Sequence, residues 1–120
     1  MSLADGDRVV LLHNPGCSKS RAARALLEER GVDFQERLYL EDALSRQELD
    51  DLRARLGRSA HEWVRRGEAA YGEAGLDADA DEARVLDAMA AHPILIERPI
   101  LIRDARARVG RPPEAILALL

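Results

Sequence analysis

The sequence predicts one α/β domain over residues 1–120, a mixed sheet with a helical insertion between a βαβ half and a ββα half. Three observations predict it. A buried-strand run, Arg8–His13, is followed by turn chemistry and a helical period, and then by a second extended stretch within about 30 residues, the length of a βαβ unit. A strand-like apolar triplet, Ile100–Ile102, is followed by Ala105–Val109, which alternates small or apolar residues with arginine and reads as its hairpin partner. Between these halves the apolar period is helical and no linker or repeat interrupts it.

The elements follow in order. Val9–Leu12 is apolar throughout, as a strand covered on both faces is. Asn14-Pro15-Gly16 turns the chain, and Ser18–Arg30 places Ala22, Ala23, Leu26 and Leu27 on one helical face, with Gly31 as its stop. Val32–Leu40 contains a second apolar-rich extended stretch, with Phe34, Leu38, Tyr39 and Leu40, which implies parallel pairing with the first strand through a right-handed crossover. Ser45 and Glu48 form a capping box for a helix with the stripe Leu49, Leu52 and Leu56, closed by Gly57. His61–Arg66 reads as a short helix anchored by Trp63 and Val64. Asp77–Glu82 reads as an acidic loop before a helix on Val85, Leu86 and Met89. Pro112-Pro113 opens a last helix on Ile116, Leu119 and Leu120. With the central helices taken as an insertion, this is the element order of a thioredoxin or glutaredoxin domain.

Composition removes several functions. With 47% apolar and 33% charged residues the chain has a soluble, globular balance. Its apolar runs fall far short of the roughly 20 residues a membrane helix needs, and Met1–Asp7 has no leader-like stretch. The net charge of −4 disfavours nonspecific nucleic-acid binding, so neither nucleic acid nor membrane is an expected partner. One Cys and the scattered His13, His61 and His92 give no metal-ligand spacing.

The single cysteine, Cys17, carries the chemistry. It lies at the turn before a helix N-terminus, where backbone N–H groups and the helix dipole favour an anion. The same place seats an oxyanion, and Lys19 and Arg21 add positive charge. A buried structural cysteine is the plainer alternative, but polar neighbours (Gly16, Ser18, Lys19, Ser20) speak against it. Ser20 stands where a C-x-x-C pair would have its second thiol, so any redox cycle needs an external one. His13 either assists ionisation of Cys17 or is a strand-end histidine bonded to backbone. Ser20 either donates to the thiolate or caps the helix.

At these residues the sequence resembles the glutaredoxin-coupled arsenate reductase family. The matching pieces are His13-Asn-Pro-Gly-Cys17-Ser-Lys-Ser20-Arg21, Leu38-Tyr-Leu-Glu41, Val64-Arg65 with Tyr71, His92-Pro-Ile-Leu-Ile-Glu-Arg98-Pro99-Ile100, and Gly110-Arg111-Pro112. The resemblance implies a thioredoxin-like fold and cytoplasmic reduction of arsenate to arsenite. It implies Cys17 as nucleophile, and Arg65, Arg98 and Arg111 as the arginines around the oxyanion. His13 and Ser20 fall at positions that lower the cysteine pKa, and Pro99 at the position of a cis-proline facing it. It further implies glutathione, or an equivalent small thiol, as co-substrate and glutaredoxin as partner, with no tightly bound cofactor and no metal. Two other functions fit the same resemblance, a glutathione-dependent thiol reductase of another substrate and an Spx-like regulator that binds RNA polymerase.

Overall fold

The computed structural model describes Leu3 and residues 8–120; residues 1, 2 and 4–7, on which most of the leader expectation falls, lie outside the described residues. Its order is β1 (Val9–Leu12), α1 (Ser18–Glu29), β2 (Gln35–Arg37), α2 (Arg46–Leu56), α3 (Ala69–Glu73), α4 (Glu82–Ala91), β3 (Ile100–Arg103) and β4 (Arg106–Val109). Short 3₁₀ turns occupy Ala60–Glu62, Pro93–Leu95 and Pro113–Leu119. The four strands run in the order β2-β1-β3-β4. β1 pairs with β2 in parallel and with β3 antiparallel, and β3 pairs antiparallel with β4. The sheet is therefore mixed and the helices α2–α4 separate its two halves, as the periodicity predicts.

Side chains alternate across the two central strands, so one apolar run feeds two cores. Val10, Leu12, Ile100 and Ile102 face Trp63, Leu49, Leu52, Val85 and Met89 of the insertion. Val9, Leu11 and Leu101 face Ala23 and Leu27 of α1 and Ile116 and Leu119 of the last turn. The capping box at the start of α2 is present: Glu48 N–H donates to Ser45 Oγ at 3.1 Å and Ser45 N–H to Glu48 Oε1 at 3.0 Å. Glu48 also accepts from Arg37 at 2.5 Å, which ties the end of β2 to the same turn. Gly57, at φ 66°, ends α2 in the left-handed region.

Several expectations are corrected. Val32–Leu40 does contain the second strand, but only three polar residues form it: Phe34 precedes it and packs against the α1 side, Tyr39 follows it and is fully buried, and Leu40 is exposed. Ala22 is exposed and Leu26 half-buried, so α1 buries a narrower stripe of Ser20, Ala23 and Leu27. His61–Arg66 is not a helix. A 3₁₀ turn ends at Glu62, and Val64 instead pairs with Ile96 in an isolated antiparallel bridge. The helix α3 was not expected. The last segment is 3₁₀ from Pro113 onward, and Leu120 stands outside its apolar stripe.

Gly110 follows β4 and makes the tightest approach among the described glycines. Its N–H donates to Pro99 O at 2.8 Å, and a Cβ there would lie 2.8 Å from Pro99 Cγ and 3.1 Å from Ile116 Cγ2. Neither neighbour is the free end of a flexible chain. Gly110→Ala is expected to cost about 1–3 kcal/mol by overpacking, read as a lower urea midpoint with an unchanged m-value. An unchanged midpoint would show that the Pro99 loop yields freely.

Candidate active site

β1 ends at Leu12, and the chain turns through Asn14-Pro15-Gly16 so that Cys17 becomes the N-cap residue of α1, with extended backbone (φ −102°, ψ 124°). The turn is fastened on both sides. Cys17 N–H donates to Asn14 O at 2.9 Å, Gly16 N–H to Asn14 Oδ1 at 3.0 Å, and the Arg21 guanidinium to Pro15 O at 2.7 Å. The sulfur is partly exposed. Partial burial pushes the thiol pKa up, but the backbone N–H groups of Ser20 and Lys19 and the Arg98 guanidinium outweigh it, and Cys17 lies below the ordinary thiol value.

His13 and Ser20 do meet, though not at the sulfur. Both are buried, His13 Nδ1 and Ser20 Oγ are 2.7 Å apart, and the same hydroxyl accepts Asn14 N–H at 3.0 Å. Burial lowers the His13 pKa; Arg24 and Arg21 lower it further and Glu36 opposes them. His13 is accordingly neutral at pH 7 and works through the shape of the turn. The Ser20 hydroxyl neither caps the helix nor bonds to the sulfur. It is the Ser20 backbone N–H that favours the thiolate.

The three arginines converge from three segments. Arg65 N–H donates to Leu95 O at 2.7 Å and Glu97 N–H to Trp63 O at 3.0 Å, so the bridge at Val64 and Ile96 sets Arg65 beside the approach to Pro99. Arg111 follows Gly110 and reaches back: its Nε donates to Arg98 O at 2.9 Å and its Nη2 lies 3.8 Å from Cys17 Sγ. The Arg98–Pro99 peptide bond is cis, and so is Arg111–Pro112, which the sequence did not announce. Arg98 differs from the other two. Its Nε and Nη1 are buried with no hydrogen-bond partner among the described residues.

Sequence reasoning missed Glu97. One of its carboxylate oxygens, Oε1, takes Arg65 Nη1 at 2.7 Å, Arg111 Nε at 3.0 Å and Arg98 N–H at 3.2 Å. It balances charge and fixes where two guanidiniums sit. The available signal was its place between the apolar run Ile94–Ile96 and Arg98, a carboxylate in an otherwise apolar stretch. Tyr39 falls in an extended stretch and in the matching piece Leu38–Glu41, with no site role assigned from sequence. It lies fully buried within electrostatic reach of Arg98, Cys17, Arg65 and Glu97, and burial pushes its pKa up to about 12, so it stays protonated under the site.

These groups set a thiol of lowered pKa at a helix N-terminus before a cationic seat in which Arg98 has two buried nitrogens without a hydrogen-bond partner among the described residues. Such an arrangement binds a tetrahedral oxyanion and attacks it.

Residues 12–119 match the ArsC family. An arsenate reductase of Neisseria meningitidis (strain MC58) is 45% identical over 114 residues, covering 93% of this chain and 97% of its own length. That of Haemophilus influenzae is 40% identical over 114 residues, covering 93% and 98%. The solved structure of an arsenate reductase from Vibrio cholerae superposes with a TM-score of 0.90 at 43% identity, over 97% of this chain and all of the other. The mixed sheet described above is thus the thioredoxin-like fold of the arsenate reductases.

Proposed function

The chain belongs to the ArsC family, and on that premise we propose that it is an oxidoreductase reducing arsenate to arsenite with Cys17 as nucleophile. The observation that carries the reading is Arg98, whose guanidinium lies against Cys17 and lowers its pKa while two of its nitrogens, Nε and Nη1, are buried without a hydrogen-bond partner among the described residues. A buried donor left unsatisfied is costly, and an oxyanion delivered to Cys17 would satisfy both. Guanidiniums suit this task because their planar forks match tetrahedral oxyanions and stay charged.

The cycle closes with external thiols, since the chain has one cysteine. Cys17 thiolate forms an S–As bond and an oxygen leaves As(V) as water after protonation. Glutathione then attacks the Cys17 sulfur, the S–As electron pair stays on arsenic, and arsenite departs as As(III). The resulting disulfide between Cys17 and glutathione is attacked by a glutaredoxin thiol at the glutathione sulfur, which returns Cys17 as thiolate. Reduced glutathione places this cycle in the cytoplasm. No helix among the described residues is long and apolar enough to cross a membrane.

The test is NADPH oxidation in a mixture of arsenate, glutathione, glutaredoxin, glutathione reductase and the protein. Steady oxidation that requires every component is the expected result. A rate no higher than that without arsenate would remove arsenate as the substrate. Capture of RNA polymerase subunits under the same absence of turnover would favour the regulator.

A further inference from the structure

β4 is an edge strand, and a cleft runs along its open side. The cleft holds about 530 Å³ and is walled by the end of α2 and by the last 3₁₀ turn. Arg103 and Arg106 close the two-residue turn of the β3–β4 hairpin. Hydrogen-bonded pairs alternate from such a turn. The backbone groups of Arg106 and Arg108 therefore bond to β3, and those of Ala107 and Val109 face away from it. Five guanidiniums line the cleft against two carboxylates. Both carboxylates are engaged, Glu62 with Arg58 and the Ser59 backbone, Glu97 with Arg65 and Arg111. Arg106 and Arg108 have no ion pair or side-chain hydrogen bond among the described residues, and Arg58 is exposed with only a 3.8 Å contact to Glu62.

Charges on an edge strand also discourage edge-to-edge pairing. That role explains neither the cleft nor its continuity with the site. Arg111 lines the cleft while its Nη2 lies 3.8 Å from Cys17 Sγ, so the two spaces share a wall.

We propose that this cleft seats the peptide arm of the resolving thiol: a short acidic peptide thiol lies along the open edge of β4, its carboxylates on Arg106, Arg108 and Arg58. An extended peptide finds there the backbone groups of Ala107 and Val109, which have no hydrogen-bond partner among the described residues, as in strand addition to a sheet edge. The volume fits a small ligand better than a protein face. The proposal rests on the reading that an external small thiol resolves Cys17, and its test needs no arsenate.

Cys17 of the folded protein is reacted with glutathione disulfide: its thiolate attacks one sulfur, the Cys17–glutathione disulfide forms, and one glutathione thiolate leaves. Intact mass follows the rate, and the uncharged 2-hydroxyethyl disulfide serves as reference. In the double variant Arg106→Ala/Arg108→Ala the glutathione disulfide rate is expected to fall about tenfold while the reference rate changes less than twofold. Arg30→Ala/Arg84→Ala, which removes the same charge outside the cleft, is expected to leave both rates within twofold. The proposal is overturned if both disulfides slow together, if the outside pair slows the reaction equally, or if the cleft pair changes nothing. It is overturned too if only deglutathionylation by glutaredoxin slows, since the cleft would then serve the protein partner. Because no arsenate enters, absence of arsenate turnover leaves the comparison readable.

Discussion

Cys17→Ser is expected to reduce no arsenate above the enzyme-free rate, with the fold retained. The substitution keeps the turn bonds, because they run through the Cys17 backbone to Asn14 O and Arg21 N–H and not through sulfur. What it removes is the anion. Two helix N–H groups and one guanidinium bring a thiol below its ordinary pKa against the upward push of burial, and the same three groups leave an alcohol un-ionised at neutral pH. In the wild type, alkylation by iodoacetamide should titrate with a midpoint below the ordinary thiol value. Stability carries the same sign. A depressed folded pKa gives the thiolate a stabilising contribution that is present above the unfolded thiol pKa and lost as pH falls through the folded one. The difference in unfolding midpoint between wild type and Cys17→Ser should therefore grow with pH across that interval. Unimpaired arsenate turnover in the serine variant would sink the mechanism.

Glu97→Ala is expected to lower kcat/KM for arsenate on the order of 10²-fold, the cost of a misplacement near the reacting atoms, while barely moving the melting temperature. The two effects separate because Glu97, Arg65 and Arg111 are each about a quarter to a third exposed, and ion pairs of that kind contribute about 0–1 kcal/mol. Their geometry is a different matter. Oε1 accepts from Arg65 and from the Arg98 N–H and pairs with Arg111 Nε at 3.0 Å, so its loss leaves Arg111 held only through Arg98 O and leaves Arg65 with Glu68 at 3.3 Å. Glu97→Gln keeps an acceptor oxygen in the same place and should recover a substantial part of the loss. If Glu97→Ala stays within twofold of wild type, or if glutamine is as poor as alanine, the positioning role is wrong.

The sheet was legible because its signals are local. Apolar runs fixed β1 and β3, and Gly31 and Gly57 marked helix ends. Ser45 and Glu48 fixed the start of α2. The same Ser-x-x-Glu pattern recurs at Ser59 and Glu62 and starts only one 3₁₀ turn, because Trp63 and Val64 leave the helical path to pair the backbone with the segment before Pro99. β2 illustrates the opposite error. Its apolar neighbours Phe34 and Tyr39 lie outside the ladder, while the paired residues, Gln35–Arg37, are polar. Among the site groups, Cys17 was legible from its turn, and Arg65, Arg98 and Arg111 only through family likeness. The Glu97 hub was not legible, since three donors from segments 65, 98 and 111 meet on it only once the chain has folded. The role of Ser20 shifted for a similar reason: its hydroxyl belongs to His13 and Asn14, and its amide to the sulfur.

Arg98 and Arg111 bracket the β3–β4 hairpin, and at that open end of the hairpin Gly110 N–H meets Pro99 O and Arg111 Nε meets Arg98 O. The spacing between the two arginines is thus written into the strand count of one hairpin. Insertions and deletions in descendants of this chain have room at the exposed tip, Asp104–Ala105, where an added residue changes only the bend. A single residue gained or lost inside either strand would shift one arginine out of step with the other. Such lineages would keep a foldable sheet and lose the anion seat, so length variation in this hairpin is a mark by which drift away from oxyanion chemistry can be recognised.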